Sequence, residues 1–382
     1  MSVYLDNAAT SFPKPEVVYR AVDEFMRKIG VNAGRGAYRQ ALEADKIIYE
    51  TRRNLAKLFN VKDVTRIIFT FNITDSINLA LKGLLKSGDH VITSSMEHNA
   101  VWRPLKTIEK ERGVSITAIP CDSNGVLDPQ KVQDAITKRT KLIVLTHASN
   151  VTGTVMPIQD VGAVARENNV WFLVDAAQTA GLYPLDVEAM NIDLLAFTGH
   201  KGLMGPMGTG GLYIREGISI KPLREGGTGG DSILEYQPEF LPDRYEAGTP
   251  NVSGIAGLGA AVKFILNEGI EEIHKKETVL TNYALRKLSE IDKVKIYGPQ
   301  SIIGRVGVIS LNIGNLNPQK VGYTLDEKYG VMVRTGLHCA PCAHRTIGTI
   351  NSGTIRIGLG YFNTEKDIDV FIDAIKDILN FV

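Results

Sequence analysis

Short apolar runs alternating with amphipathic stretches fill residues 43–296, and this alternation constrains the fold more than any other feature of the chain. Residues 44–59 set Ile47, Ile48, Leu55 and Leu58 near helical spacing. Runs at 66–71, 90–93, 114–119, 141–146 and 171–174 read as strands. Helices are predicted between them at 76–85, 101–112, 129–136 and 158–167. Such strands carry few polar residues, so both faces of their sheet must be covered, which favours a mostly parallel α/β arrangement. Strands at 194–197 and 211–214 follow, then a loop-rich stretch at 222–251 and helices at 255–266 and 270–291. Residues 294–382 read as a smaller α+β unit with strands near 307–312, 331–334 and 354–357.

Composition narrows the function classes. The 382 residues are 44% hydrophobic and 22% charged, ordinary for a globular chain with a large core. Lys plus Arg number 43 and Asp plus Glu 42, so no net field exists to hold nucleic acid or an anionic membrane surface. No apolar run approaches the roughly 20 residues of a membrane span, and the first residues lack a basic head followed by an apolar run. Cys121, Cys339 and Cys342 are too few for a disulfide framework. A cytoplasmic location is the expectation.

The glycine clusters do not make nucleotide loops. In GPMGTGG (205–211) the last glycine of a G-x-G-x-x-G falls on Tyr213, and in GGTGG (226–230) it falls on Ser232. The informative segment is 171–211. The strand WFLV ends in Asp175-Ala176-Ala177-Gln178, and further on Thr198-Gly199-His200-Lys201 precedes a glycine-rich turn. Ligands of open α/β sheets bind beyond the carboxyl ends of the strands. A carboxylate there, with a lysine on a neighbouring turn, suits pyridoxal 5'-phosphate: an amine for the aldehyde, an acid for the ring nitrogen and donors for the phosphate. Each residue alone has a plainer reading, Asp175 as a strand-end acid and Lys201 as a solvated charge.

VDAAQ with TGHKGLMGPMGTGGLY resembles the class V aminotransferase group of fold-type I pyridoxal-phosphate enzymes. The resemblance runs from YLDNAAT (4–10) to about residue 363. It implies a mostly parallel large domain over 15–260, with 1–14 and 261–382 forming a small α+β domain. FNITDSIN (71–78) resembles the family's first phosphate turn, with Thr74 opening a helix whose free N–H groups suit an anion, although Thr74 also reads as a plain cap. SSMEHNA (94–100) puts His98 where the family stacks an imidazole on the cofactor ring, and HASNVTGTVMPI (147–158) puts Asn150 at its cofactor-oxygen contact. Asp175, Gln178, Thr198, His200 and Lys201 complete the implied cofactor set. YEAGTPN (245–251) puts Thr249 where the family's second subunit reaches the phosphate, implying a homodimer.

The segment VRTGLHCAPCAHRTIG (333–348) narrows the implied reaction. RTGLHCA resembles the active-site loop of cysteine desulfurases, in the branch that includes selenocysteine lyases, with Cys339 as nucleophile. SGTIRIGLGYFN (352–363) puts Arg356 on the family's substrate-carboxylate clamp, where a guanidinium fork grips a carboxylate twice. The implied reaction converts L-cysteine to L-alanine, leaving a persulfide on Cys339 for a sulfur-acceptor protein and for iron–sulfur cluster or thiocofactor assembly. Lys201 is the expected base, and the thiol must react as a thiolate. Selenocysteine lyase or another C–S lyase is the nearest alternative. A class V aminotransferase, which needs no thiol, is the second, and a sulfur-trafficking scaffold without turnover the third.

C-A-P-C (339–342) beside His338 and His344 also reads as a zinc or redox site, but no second C-x-x-C exists. Its spacing further suggests that Cys342 relays the persulfide. The chain departs from the family pattern at Thr198, where the usual residue is Ser, and at Gly34, where the pattern has a His before Arg35. Arg35 is the remaining expected substrate contact.

Overall fold

The computed structural model describes residues 2–34, 36–230 and 233–380. In chain order its strands are β1 (Val3–Tyr4), β2 (Ile67–Thr70), β3 (His90–Ser94), β4 (Ser115–Ile119), β5 (Thr140–Thr146), β6 (Trp171–Asp175), β7 (Leu194–Thr198), β8 (Gly210–Ile214), β9 (Val294–Tyr297), β10 (Val308–Ile313), β11 (Val331–Met332), β12 (Arg334–Gly336) and β13 (Thr354–Gly358). Its α-helices are α1 (Glu16–Glu24), α2 (Arg39–Phe59), α3 (Ile73–Leu84), α4 (Asn99–Arg112), α5 (Pro129–Asp134), α6 (Ile158–Glu167), α7 (Val252–Glu268), α8 (Ile270–Ser289), α9 (Pro318–Tyr329), α10 (Pro341–Thr346) and α11 (Glu365–Asn380).

A seven-stranded sheet in the order β2-β8-β7-β6-β5-β3-β4 carries the site. The five strands from β7 to β4 run parallel, whereas β8 is antiparallel to both β2 and β7. Every residue of β2, β3, β7 and β8 is buried, as the apolar runs require. Two apolar cores flank this sheet, one under α2, α6 and α7 and one under α3 and α4. A four-stranded antiparallel sheet, β12-β13-β10-β9, has a third core closed by α8, α9 and α11.

The N-terminal strand β1 pairs in parallel with β11, and its Val3 and Leu5 belong to that third core. Helix α8 joins the two parts: Ile273 packs in a core of the large sheet, whereas Leu280, Ala284, Leu285 and Leu288 pack in the core of the small one. The sequence reading of one strand over 331–334 resolves into β11 and β12, each in a different sheet.

Candidate functional site

Asp175 ends β6 at the carboxyl edge of the large sheet, 2% exposed, where its Oδ1 accepts the Ala177 N–H at 2.9 Å. Burial raises its pKa, and the nearby Lys201 ammonium opposes that rise. Lys201 lies in the turn after β7, with its amine enclosed. Burial lowers this amine to about 8; Asp175 pulls the other way, and Arg356 and Arg334 add to the lowering. The turn is held closed by glycine. A Cβ on Gly199 would lie 2.1 Å from Thr209 Oγ1, and one on Gly210 would lie 2.9 Å from the Asn72 backbone. Bare backbone there lets the start of α3 sit against β8 beside the lysine turn.

His98 caps α4 by accepting the Ala100 N–H on Nδ1 at 3.0 Å. Burial lowers its pKa to about 4, helped by Lys201, Arg334 and Arg356, so the imidazole is neutral at physiological pH. Glu97, beside it, is fully buried. It accepts the Thr146 N–H and the Ser94 hydroxyl, and burial pushes its carboxyl up to about 8.

Cys339 reaches this site on the loop between β12 and α10, with its thiol exposed. His338 and Cys339 have φ values of 48° and 58°, in the left-handed region that non-glycine residues rarely occupy. Three contacts hold the loop against the large sheet's edge. Asn99 N–H donates to the Cys339 carbonyl at 2.8 Å, Asn150 Nδ2 donates to the His338 carbonyl at 2.7 Å, and Thr346 Oγ1 donates to the Ser95 carbonyl at 3.1 Å. Arg334 Nη2 lies 3.5 Å from Cys339 Sγ.

Arg356, on β13, is 1% exposed. Its Nη2 donates to Asp6 Oδ1 at 2.6 Å and its Nη1 to the Asn150 carbonyl at 3.2 Å. Burial lowers its pKa and the Asp6 carboxylate counters that.

Lys201, Asp175, His98, Cys339, Asn150 and Arg356 therefore converge. The other sequence-predicted residues lie as follows. Gln178 is buried and donates to the Ala8 carbonyl at 3.1 Å. Thr198 is buried, its hydroxyl 3.5 Å from the Thr209 carbonyl. The His200 carbonyl accepts from Thr10 and Ser11, and burial lowers its imidazole to about 4. Thr74 is exposed in the first turn of α3, whose cap is Asn72; the Asn72 side chain accepts the Asp75 N–H. Thr249 is exposed in a cleft shared with Phe71, Thr209 and Arg224 of its own chain. Arg35 lies outside the described residues.

Among the described residues no group of three or more His, Cys, Asp or Glu side chains could hold a metal ion. Cys342 sits in α10, buried, and burial raises its thiol pKa. No helix among the described residues is long and apolar enough to cross a membrane.

Sequence reasoning missed Asp6 and Glu97. They stand inside YLDNAAT and SSMEHNA, and the available signal in each was a carboxylate directly after a large apolar residue, Leu5 or Met96, both of which are buried.

Pyridoxal 5'-phosphate fits this donor set on the structure's own terms. A buried carboxylate lacking full compensation, an amine whose pKa is lowered to about 8 and the N-terminal turn of α3 are complementary to its ring nitrogen, aldehyde and phosphate.

Comparison with known proteins agrees with this chemistry. The family profile described as Aminotransferase class-V matches residues 3–371. A "Probable cysteine desulfurase" from Methanothermobacter thermautotrophicus is 37% identical over 98% of this chain and 94% of its own length. A "Cysteine desulfurase" from Salmonella agona is 33% identical over 98% of this chain and 93% of its own. The apo structure of a cysteine desulfurase from Thermococcus onnurineus superposes with a TM-score of 0.95 at 33% identity, covering 100% of this chain and 95% of the other.

Proposed function

The chain belongs to the class V aminotransferase family, and on that premise we propose that it is a pyridoxal-phosphate-dependent cysteine desulfurase. One observation carries the reading: the Cys339 loop docks through Asn99 and Asn150 onto the edge that holds Lys201 and Asp175. Transamination needs no thiol there.

When bound, pyridoxal 5'-phosphate supplies an aldehyde carbon that captures amines and a ring that accepts the electron pair released at the substrate Cα. Lys201 would bond the aldehyde, and its low pKa lets the freed amine take the Cα proton near neutral pH. Asp175 would hold a proton on the ring nitrogen, which adds a cation beside a carboxylate whose charge burial disfavours. His98, being neutral, can lie beside the ring without adding a second positive charge. The N–H groups at the start of α3, with Thr74, would take the phosphate. Asn150, Gln178, Thr198 and His200 would frame the pocket from the strand ends and turns around it. Thr249 would complete the phosphate site of a second copy, which makes the active form a homodimer; light scattering of the purified chain tests this.

Arg356 would hold the substrate carboxylate. The Cys339 thiolate, steadied by Arg334, would attack the substrate sulfur. The carbon–sulfur bond breaks, a sulfur–sulfur bond forms on Cys339, and the three-carbon fragment takes a proton and leaves as L-alanine. The persulfide then passes to a thiol, in the cell that of an acceptor protein. The expected division puts the cofactor-binding part at 15–260 and the part that carries Cys339 and Arg356 at 1–14 and 261–382, a boundary that falls inside α7. Ala261, Val262 and Ile265 side chains reach into the large sheet's core, which favours a hinge within α8.

The test is incubation with L-cysteine and a reductant, following alanine and sulfide for the parent and Cys339→Ala. Equal amounts of both products are expected from the parent alone. A Cys339→Ala variant as active on L-cysteine as the parent refutes the reading. Loss on L-cysteine with retention on selenocysteine would favour the lyase.

A further inference from the structure

Arg356 is a buried cation with few compensations. It stands directly across β12 and β13 from Arg334, so two guanidinium groups share one face of the small sheet. Like charges opposed on adjacent strands destabilise each other, and Arg334 pushes the Arg356 pKa down. The carboxylate that touches Arg356 is Asp6, at 2.6 Å from Nη2. A second donor, Nη1, is on the Asn150 carbonyl, and Nε is buried without an acceptor. The guanidinium is therefore gripped at two atoms and left with an unmet donor.

Asp6 is itself fixed by backbone. Gly358 N–H donates to the Leu5 carbonyl at 2.6 Å, Asn7 N–H donates to the Gly358 carbonyl at 3.1 Å, and the Tyr4 hydroxyl donates to the Asp6 carbonyl at 3.1 Å. The residues on both sides of Asp6 are thus stitched to β13, the strand that bears Arg356. A carboxylate mounted in this way orients its partner; it is not a free arm that swings aside.

We propose that Asp6 is the positioning residue of the substrate site: it fixes the Arg356 guanidinium so that the remaining donors meet the α-carboxylate of an incoming amino acid. The inference rests on Arg356 being the carboxylate anchor of the proposed desulfurase, and it adds the residue that makes a buried arginine usable as one. Two acids then share one guanidinium, a protein carboxylate on one part of the fork and the substrate's on the rest.

The experiment uses the cofactor-loaded enzyme and L-alanine, which carries the carboxylate but no sulfur. Calorimetric affinities are compared for the parent, Asp6→Asn, Arg356→Gln and the double variant, with KM and kcat for L-cysteine measured alongside. Asp6→Asn keeps the size and one acceptor while removing the charge. L-alanine should bind about tenfold to a hundredfold more weakly, the scale of one hydrogen bond to a charged group. KM for L-cysteine should rise in parallel, with kcat within about threefold. In the Arg356→Gln background Asp6→Asn should add nothing, because the residue acts through the arginine.

Unchanged affinity overturns the proposal, and so does additivity in the double variant. Tighter binding overturns it as well, because Asp6 would then compete with the substrate. If Asp6→Asn does not fold, Asp6→Glu displaces the charge along a longer stem and is put through the same cycle with the same criteria. A parent that binds L-alanine but leaves L-cysteine intact refutes the desulfurase reading and leaves this test standing. A parent that does not bind L-alanine overturns the proposal.

Discussion

If Lys201 bonds the cofactor aldehyde as proposed, its amine sets the pH at which that capture occurs. An ordinary lysine at 10.5 is neutral in about 0.03% of molecules at pH 7, whereas one at about 8 is neutral in about 9%. The gain in nucleophilic amine is about 300-fold, and burial is its main cause. Apoprotein mixed with pyridoxal 5'-phosphate should therefore form its chromophore at a rate that climbs tenfold per pH step and levels near pH 8.

Two variants give opposite signs. Asp175→Asn removes the carboxylate that supports the ammonium, so the midpoint should fall. Arg356→Gln removes a cation that opposes it, so the midpoint should rise. Borohydride trapping and mass spectrometry at each pH count the modified lysine without reference to turnover. A midpoint near 10.5, or shifts of the wrong sign in both variants, would refute the reasoning.

Further outcomes are expected. Brief treatment with iodoacetamide should modify Cys339 first, because Cys121 is raised to about 11 and Cys342 is buried with a raised pKa; peptide mapping reads the order. For the same reason Cys342→Ser should leave the Cys339 persulfide lifetime within about twofold of the parent, and a large change would support the relay that the Cys339–Cys342 spacing suggests. Asn150→Ala frees the His338 carbonyl and should slow persulfide formation about tenfold, the scale of one hydrogen bond, as seen in rapid-quench assays. Glu277 is fully buried with its carboxyl raised to about 7, so its neutral form stabilises the fold below about pH 4.5 and that contribution is lost as pH rises through 7. Glu277→Gln should therefore stabilise the protein at pH 8 by at most about 3 kcal/mol in urea unfolding, and should change little at pH 4.5.

What could be read from the chain alone was local. Asp175 follows four apolar residues and Lys201 sits on a glycine-rich turn, so strand end and turn were both visible before any contact was known. The burial of β2, β3, β7 and β8 followed from the same runs. Direction was not legible: GGLYI says strand, but only the tertiary placement of β8 between β2 and β7 makes it antiparallel. Nor was the cap of α3, where Asn72 takes the Asp75 N–H and Thr74 follows inside the first turn.

The remainder depends on contacts across hundreds of residues. Asp6 meets Arg356 at a separation of 350 residues, and Asn150 meets the His338 carbonyl at 188. No periodicity encodes such pairs, because each partner's local pattern is satisfied without the other. Their consequence falls on the thiol loop. His338 and Cys339 hold a backbone conformation that costs roughly 1–3 kcal/mol per residue, and the Asn99, Asn150 and Thr346 contacts are what offset it. The Cys339 sulfur is thus placed by the large sheet's edge although its loop leaves the small sheet through β12. A motion about α8 that parts the two cores has to bend the loop between β12, in the small sheet, and α10, whose Ala343 packs in the large sheet's core, so the placing of Cys339 depends on the closure of the two parts.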